Sequence, residues 1–210
     1  MEKRSLTVIF DLDGTLLNSI DLIVACYEAT LSHFTGKVPT REEILKDVGL
    51  PLKTALERID KDRAKEMEIY YRAFQKENHD KFASLYPGAI KLLEDLHKRE
   101  IKVGVATSKA RAGLELCLHM FPKDFVQVWI TADDVEHHKP HPEPLLTVAE
   151  TLQATPSNCV YVGDTHFDKE SASNAGMQFI GVTWGAGLSN ELGNKVVDTF
   201  DELRSSLFLL

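Results

Sequence analysis

Several acids, two hydroxyls and a lysine stand just beyond short apolar runs of this chain. Loops at the carboxyl ends of parallel strands bring ligand-binding groups together in that way. The run Ser5–Phe10 leads into Asp11-Leu12-Asp13-Gly14-Thr15, and Lys102–Thr107 closes on Thr107-Ser108. Cys159–Gly163 is followed by Asp164, with Asp168 four residues later, and Lys139 follows Val126–Thr131 in Lys139-Pro140-His141-Pro142. An ionised carboxylate can attack as a nucleophile, carry a proton or ligate a hard cation, and an ammonium offers a compact positive charge. Taken alone, an acid-x-acid pair after a strand is more readily a turn or a helix cap. Thr107 alone could simply end a strand, Lys139 could be a solvated loop charge, and Asp168 could cap the helix after it. The ordered set is different, because it converges on one cleft.

The elements that must position these groups are legible in the hydrophobic pattern. Ser5–Phe10, Lys102–Thr107, Val126–Thr131, Cys159–Gly163 and Gln178–Thr183 are rich in β-branched and apolar residues and are expected strands. Helical patterns separate the later ones. Ala110, Leu114, Cys117, Leu118 and Phe121 share one face, as do Leu145, Leu146, Ala149 and Leu152 after Pro142. Apolar strands joined by helical crossovers imply an α/β fold, a doubly wound parallel sheet covered on both sides.

From Leu17 to about Leu85 the alternation stops and only helical periodicity remains, which predicts an inserted helical domain at 17–85 between core segments 1–16 and 86–210. Met67, Tyr70 or Tyr71, Phe74 and Asn78 mark a helix within Asp60–Phe82, and Thr40-x-x-Glu43 reads as a capping box. Tyr86-Pro87-Gly88 then turns the chain into a helix that returns it to the sheet.

Composition narrows the classes. The chain has 210 residues, 43% hydrophobic and 27% charged, enough for one domain with an insertion. A net charge of −8, with no run of Lys or Arg, disfavours nucleic acid. Cys26, Cys117 and Cys159 are few and far apart, which suggests core thiols in a reducing compartment. The basic Met1-Glu2-Lys3-Arg4 precedes too short an apolar run for an export signal, and the uncharged stretch Ser171–Asn190 is too rich in Gly, Ser and Asn for a membrane helix. A cytoplasmic protein with no membrane partner is expected, as monomer or homodimer. His137, His138, His141 and His166 lack a supported metal spacing, and the glycines of Gly181–Gly193 lack a phosphate-cradle pattern, so both read as ordinary loops.

Asp11-Leu12-Asp13-Gly14-Thr15, the strand-end Thr107, Lys139 before proline and Gly163-Asp164 with Asp168 resemble, in order, the four motifs of the haloacid dehalogenase superfamily. The motifs span the whole chain, and the helical insert falls where that family places its cap. The resemblance implies a Rossmann-like core with sheet order 5-4-1-2-3, which would set Asp11 beside Asp164. Dehalogenases of this kind lack the second aspartate, so Asp13 favours phosphorus chemistry.

The implied activity is a Mg²⁺-dependent phosphohydrolase working through an aspartyl-phosphate on a small phosphorylated compound. Asp11 would be the nucleophile and stay ionised, while Asp13, with a raised pKa, would protonate the leaving oxygen and later activate water. Thr107, Ser108 and Lys139 would hold the phosphoryl oxygens, and Gly14 would allow the tight turn. Asp11, Asp164 and the backbone carbonyl of Asp13 would ligate Mg²⁺, with Asp168 behind them or acting through water.

The chain is similar to the phosphoglycolate phosphatase-like branch, and more closely to its bacterial inorganic pyrophosphatases. That likeness rests on Asp133-Asp134-Val135-Glu136-His137, Tyr71-Arg72-Ala73-Phe74 and Asn78-His79-Asp80, with Arg41, Lys46 and Lys53 available for a second phosphate. The same motifs would serve a sugar-phosphate mutase of the β-phosphoglucomutase type or a non-catalytic binder of phosphate compounds.

Overall fold

The computed structural model describes residues 6–187 and 190–210. Met1 to Ser5, including the start of the first expected strand, and Leu188 and Ser189 of the glycine-bearing loop lie outside them.

Thr7–Phe10 (β1) runs through the middle of a six-stranded parallel sheet. On one side it pairs with Lys102–Ala106 (β4), and Val128–Ile130 (β5) lies beyond that. On the other it pairs with Cys159–Gly163 (β6), followed by Gln178–Val182 (β7) and Val196–Val197 (β8). The order β5-β4-β1-β6-β7-β8 sets Asp11 and Asp164 at the ends of neighbouring strands.

The two-residue alternation of a strand divides the core into layers. Val8 and Phe10 face one layer with Ala89–Lys98 (α5) and Phe200–Phe208 (α9), through Leu92, Leu93, Leu96, Leu203 and Leu207. Ile9 and Tyr161 face the other with Glu143–Thr151 (α7) and His166–Asn174 (α8), through Leu145, Val148 and Ala172. Burying each such Leu or Val contributes about 1.5–3 kcal/mol. Helices thus cover both faces of the sheet.

Between β1 and α5 the chain makes four helices, Ile20–Thr35 (α1), Arg41–Leu45 (α2), Leu52–Ile59 (α3) and Ala64–Phe82 (α4). They bury an apolar set of their own, including Leu22, Cys26, Leu56 and Met67, with Tyr27 edge-on to Tyr71 at 5.3 Å. The capping box forms: Glu43 N–H donates to Thr40 Oγ1 at 3.2 Å, and Thr40 N–H to Glu43 Oε2 at 2.8 Å.

Several details differ from the sequence reading. Leu17–Asn18 (β2) and Ser84–Leu85 (β3) form a two-residue antiparallel ribbon where no strand is expected. Helix α4 starts at Ala64 rather than near Asp60, because Asp60 Oδ1 accepts the N–H groups of Asp62 and Arg63 and holds a turn there. The face from Ala110 to Phe121 splits into Arg111–Glu115 (α6) and a 3₁₀ turn at Leu118–Met120. Leu114, Cys117 and Phe121 stay buried, but Gly113 inside the segment and Pro122 just after it oppose one continuous helix. The third expected strand shrinks to β5, and β8 extends the sheet beyond the expected edge.

Candidate active site

Asp11 follows β1, and its N–H donates to the Val162 carbonyl, so its carboxylate emerges beside that of Asp164 beyond β6. Asp11 is 5% exposed, and Asp164 and Asp168 are fully buried, with carboxylate oxygens of all three within 4.8 Å of one another. The side chain of Lys139 enters this group. Its Nζ donates to Asp11 Oδ1 at 2.8 Å, Asp168 Oδ1 at 2.6 Å and the Tyr161 hydroxyl at 3.0 Å, which uses all three ammonium protons.

One ammonium answers one of three buried carboxylates, and two negative charges are left over. Against its burial, Lys139 and Thr165 hold the Asp168 carboxyl below the usual range. Asp11 is pushed up to about 7 and Asp164 well above the ordinary carboxylate value, in both cases chiefly by burial. The expected ionised Asp11 presupposes a divalent ion beside it, and burial without one works against that state. The surplus equals the charge of one divalent cation, and the donors are hard oxygens of the kind Mg²⁺ prefers. Asp11 Oδ2 has no hydrogen bond among the described residues. Asp164 accepts Thr15 Oγ1–H at 3.1 Å and Ala186 N–H at 2.7 Å, which aim it without closing it. The residues present fit such an ion.

Asp168 is placed differently. Its Oδ2 accepts the N–H and Oγ1–H of Thr165 in the capping box of α8, while Oδ1 serves Lys139 and lies 2.9 Å from the Tyr161 hydroxyl. Both of its oxygens are thus engaged by Thr165, Lys139 and Tyr161. Helix capping and site building are the same act here.

The remaining expected residues separate. Thr107 is 4% exposed, and its Oγ1 accepts the Lys109 N–H at 3.1 Å, which leaves its own proton to give. Gly14 has φ +83, and a Cβ there would fall on the Asp164 carboxylate, so glycine is required for approach as well as for the turn. Asp13 is tied by both oxygens to Lys109 Nζ, at 2.7 and 2.9 Å, and by one to Ser19 Oγ at 2.5 Å. Ser108 lines the cavity of the site, and its hydroxyl donates to the Gly49 carbonyl of the helical segment at 2.6 Å. The segment from Asp47 to Lys53 thereby closes over a cavity of about 220 Å³ lined also by Asp11, Asp13, Thr107 and Lys139.

The haloacid dehalogenase-like hydrolase family model matches residues 8–182. The chain belongs to that family. A pyrophosphatase of Bacillus mycoides is 40% identical over 179 residues, which is 85% of this chain and 83% of the relative. Among solved structures, a protein from Bacteroides fragilis described as a putative haloacid dehalogenase-like hydrolase has TM-score 0.86 at 29% identity, covering 94% of this chain and 99% of that one. A phosphoglycolate phosphatase from Lactobacillus plantarum, so described as putative, has TM-score 0.87 at 27% identity, covering 97% and 99%.

In this hydrolase several residues of the site escape the sequence reading. Lys109 stands two places after Thr107, at a strand end, where attention to the strand-end loops could have found it. Tyr161 lies inside β6, where only the strand's alternation shows it facing away from Val160 and Val162. Gly185 and Gly187, read as part of a flexible loop, pack on Asp164 so closely that a Cβ at either would overlap it. Of the cations considered for a second phosphate, Lys53 lines the cavity, whereas Arg41 turns to Asp21 at 2.8 Å. Lys46 lies off the cavity lining. His138 lines the cavity, and His137 stands outside it, bonded to Glu143 at 2.8 Å.

Proposed function

We propose that this hydrolase is a Mg²⁺-dependent phosphatase that transfers a phosphoryl group to Asp11 and then to water. Its substrates on this reading are small phosphorylated compounds of the pyrophosphate or phosphoglycolate type. The observation that carries the reading is the cluster of three buried carboxylates, Asp11, Asp164 and Asp168, around the single ammonium of Lys139, with Asp11 lining the cavity and its Oδ2 unengaged among the described residues. The names of the Bacillus and Lactobacillus relatives support the substrate class.

Asp11, Asp164 and the Asp13 carbonyl would hold the ion, which when bound neutralises charge on the carboxylates and on the phosphoryl oxygens. The chain's own side chains supply the rest. Lys139, anchored by Asp168 and Tyr161, fixes Asp11 Oδ1 and leaves Oδ2 to attack phosphorus. Thr107 donates to an equatorial oxygen. Asp13, held by Ser19 and Lys109, gives a proton to the leaving oxygen and takes one from the water that opens the aspartyl-phosphate. The segment closed by Ser108 and Gly49 excludes bulk water, which strengthens each of these interactions.

No helix among the described residues is long and apolar enough to cross a membrane. With three free buried cysteines, this supports placing the enzyme in the cytoplasm. The test is phosphate release with and without Mg²⁺ from pyrophosphate, phosphoglycolate, hexose phosphates and nucleotides. Metal-dependent release is expected. Interconversion of hexose phosphates without release would establish a mutase instead.

A further inference from the structure

We propose that His137, His141 and Glu143 form a second metal site, for a divalent transition ion of the Zn²⁺ kind, on the outer face of the loop that carries Lys139. An ion held there restrains that loop from outside the cavity. The proposal goes beyond the phosphatase reading and does not depend on it.

The three residues stand on a loop at intervals that follow no helical or strand period, so the sequence does not announce them as a ligand set. A turn brings them together. His141 N–H donates to the His138 carbonyl at 2.9 Å, and the rings of His137 and His141 lie with centroids 4.5 Å apart. Glu143 Oε2 is 2.8 Å from His137 Nδ1 and 3.9 Å from His141 Nδ1. One ligand atom from each residue lies within 4.8 Å of the other two. Donors around a tetrahedral Zn²⁺, with bonds of about 2.0–2.2 Å, stand about 3.3 Å apart, so rotation of two exposed imidazoles closes the set on an ion.

The rest of the loop is already fixed. Glu136 N–H and His137 N–H donate to the two Glu143 oxygens at 3.0 Å each, which aim the carboxylate. Ser171 Oγ donates to the His141 carbonyl and Asn174 Nδ2 to the Pro140 carbonyl, both at 3.0 Å, which ties the loop to α8. Two imidazoles and one carboxylate suit Zn²⁺ and leave a fourth position for water, whereas Mg²⁺ prefers an all-oxygen shell. The loop and the buried carboxylates therefore select different ions.

Its place in the chain gives the ion a task. His137 and His141 flank Lys139 by two residues on either side and are 61% and 49% exposed, while the Lys139 side chain runs inward to Asp11 and Asp168. Joining the two flanks holds the segment on which the buried ammonium stands. His138, between them, lines the cavity and lies outside the ligand set.

The experiment titrates Zn²⁺ calorimetrically into untagged protein saturated with Mg²⁺, using the wild type, Asp11→Asn, and a double variant with His137→Ala and His141→Ala. Melting temperatures without Zn²⁺ confirm that each folds. The wild type and Asp11→Asn should each bind one equivalent with similar affinity. The double variant should bind at least about 10- to 100-fold more weakly, since the loss of even a group supporting a ligand costs that much. Amide exchange across residues 136–143 should slow with Zn²⁺ in the wild type and stay unchanged in the double variant. Equal affinity in the wild type and the double variant would overturn the site. So would loss of binding in Asp11→Asn, which would put the ion among the buried carboxylates, or no saturable binding by the wild type up to about 100 μM Zn²⁺. Binding without slower exchange would overturn the restraint on the loop.

Discussion

Asp168 caps α8 with one oxygen and holds Lys139 with the other, at 2.6 Å. The start of a helix and the charge at the centre of the site therefore depend on one carboxylate. Asp168→Ala should cost stability twice, by about 1 kcal/mol for the cap and about 3–5 kcal/mol for the buried pair it breaks. Chemical denaturation measures the sum. A loss below about 1 kcal/mol would show that Lys139 finds another partner.

Asp11→Asn removes the attacking oxygen but keeps the side-chain volume. Turnover should drop by at least about 1,000-fold, with an unchanged circular dichroism spectrum. Substantial activity in this variant would place the nucleophile elsewhere.

Burial raises the Asp11 pKa to about 7 and moves Asp164 in the same direction, so without a divalent ion the folded chain binds protons more tightly than the unfolded chain. Stability from these groups is then present at low pH and lost as pH rises through their folded values. Asp168, shifted down, has the opposite sign and acts only below the usual carboxylate range. Between about pH 5 and 8 the protein in EDTA should therefore lose stability as pH rises, and Mg²⁺ should flatten the slope by favouring the ionised carboxylates. Denaturation midpoints at several pH values check this, and identical slopes with and without Mg²⁺ would refute it. In the same buffers, EDTA should abolish phosphate release and excess Mg²⁺ should restore it.

A methyl at Gly185 or Gly14 would fall on the Asp164 carboxylate. Gly185→Ala should raise the Mg²⁺ concentration needed for half-maximal activity by about tenfold or more, since turning one ligand away weakens the ion. Titrating activity against Mg²⁺ is the measurement, and an unaltered requirement would show that the loop gives way instead.

Where side chains were read at the ends of apolar runs, the site was legible from sequence: Asp11, Lys139, Asp164 and Asp168 come together as the motif order implies. The supporting contacts were not. Tyr161 resembles any aromatic in a buried strand until Lys139 is seen to need a third acceptor. Lys109 resembles a loop charge until its stem is found lying on Gly113. Ser108 bonds Gly49, 59 residues away in sequence, a pairing that no local pattern encodes. The strands at Leu17–Asn18 and Val196–Val197 are two residues long, too short for alternation to show.

The β2–β3 ribbon has a consequence for how such enzymes diversify. Leu17 and Leu85 face each other across it, and every strand of the six-stranded sheet lies outside the stretch between them. That stretch, with its own apolar interior, can lengthen, shrink or be exchanged between relatives without altering one pairing of the sheet. Mutation can therefore rework the covering of the cavity while inheritance keeps the reacting groups, and a new substrate preference need not be purchased with a new fold.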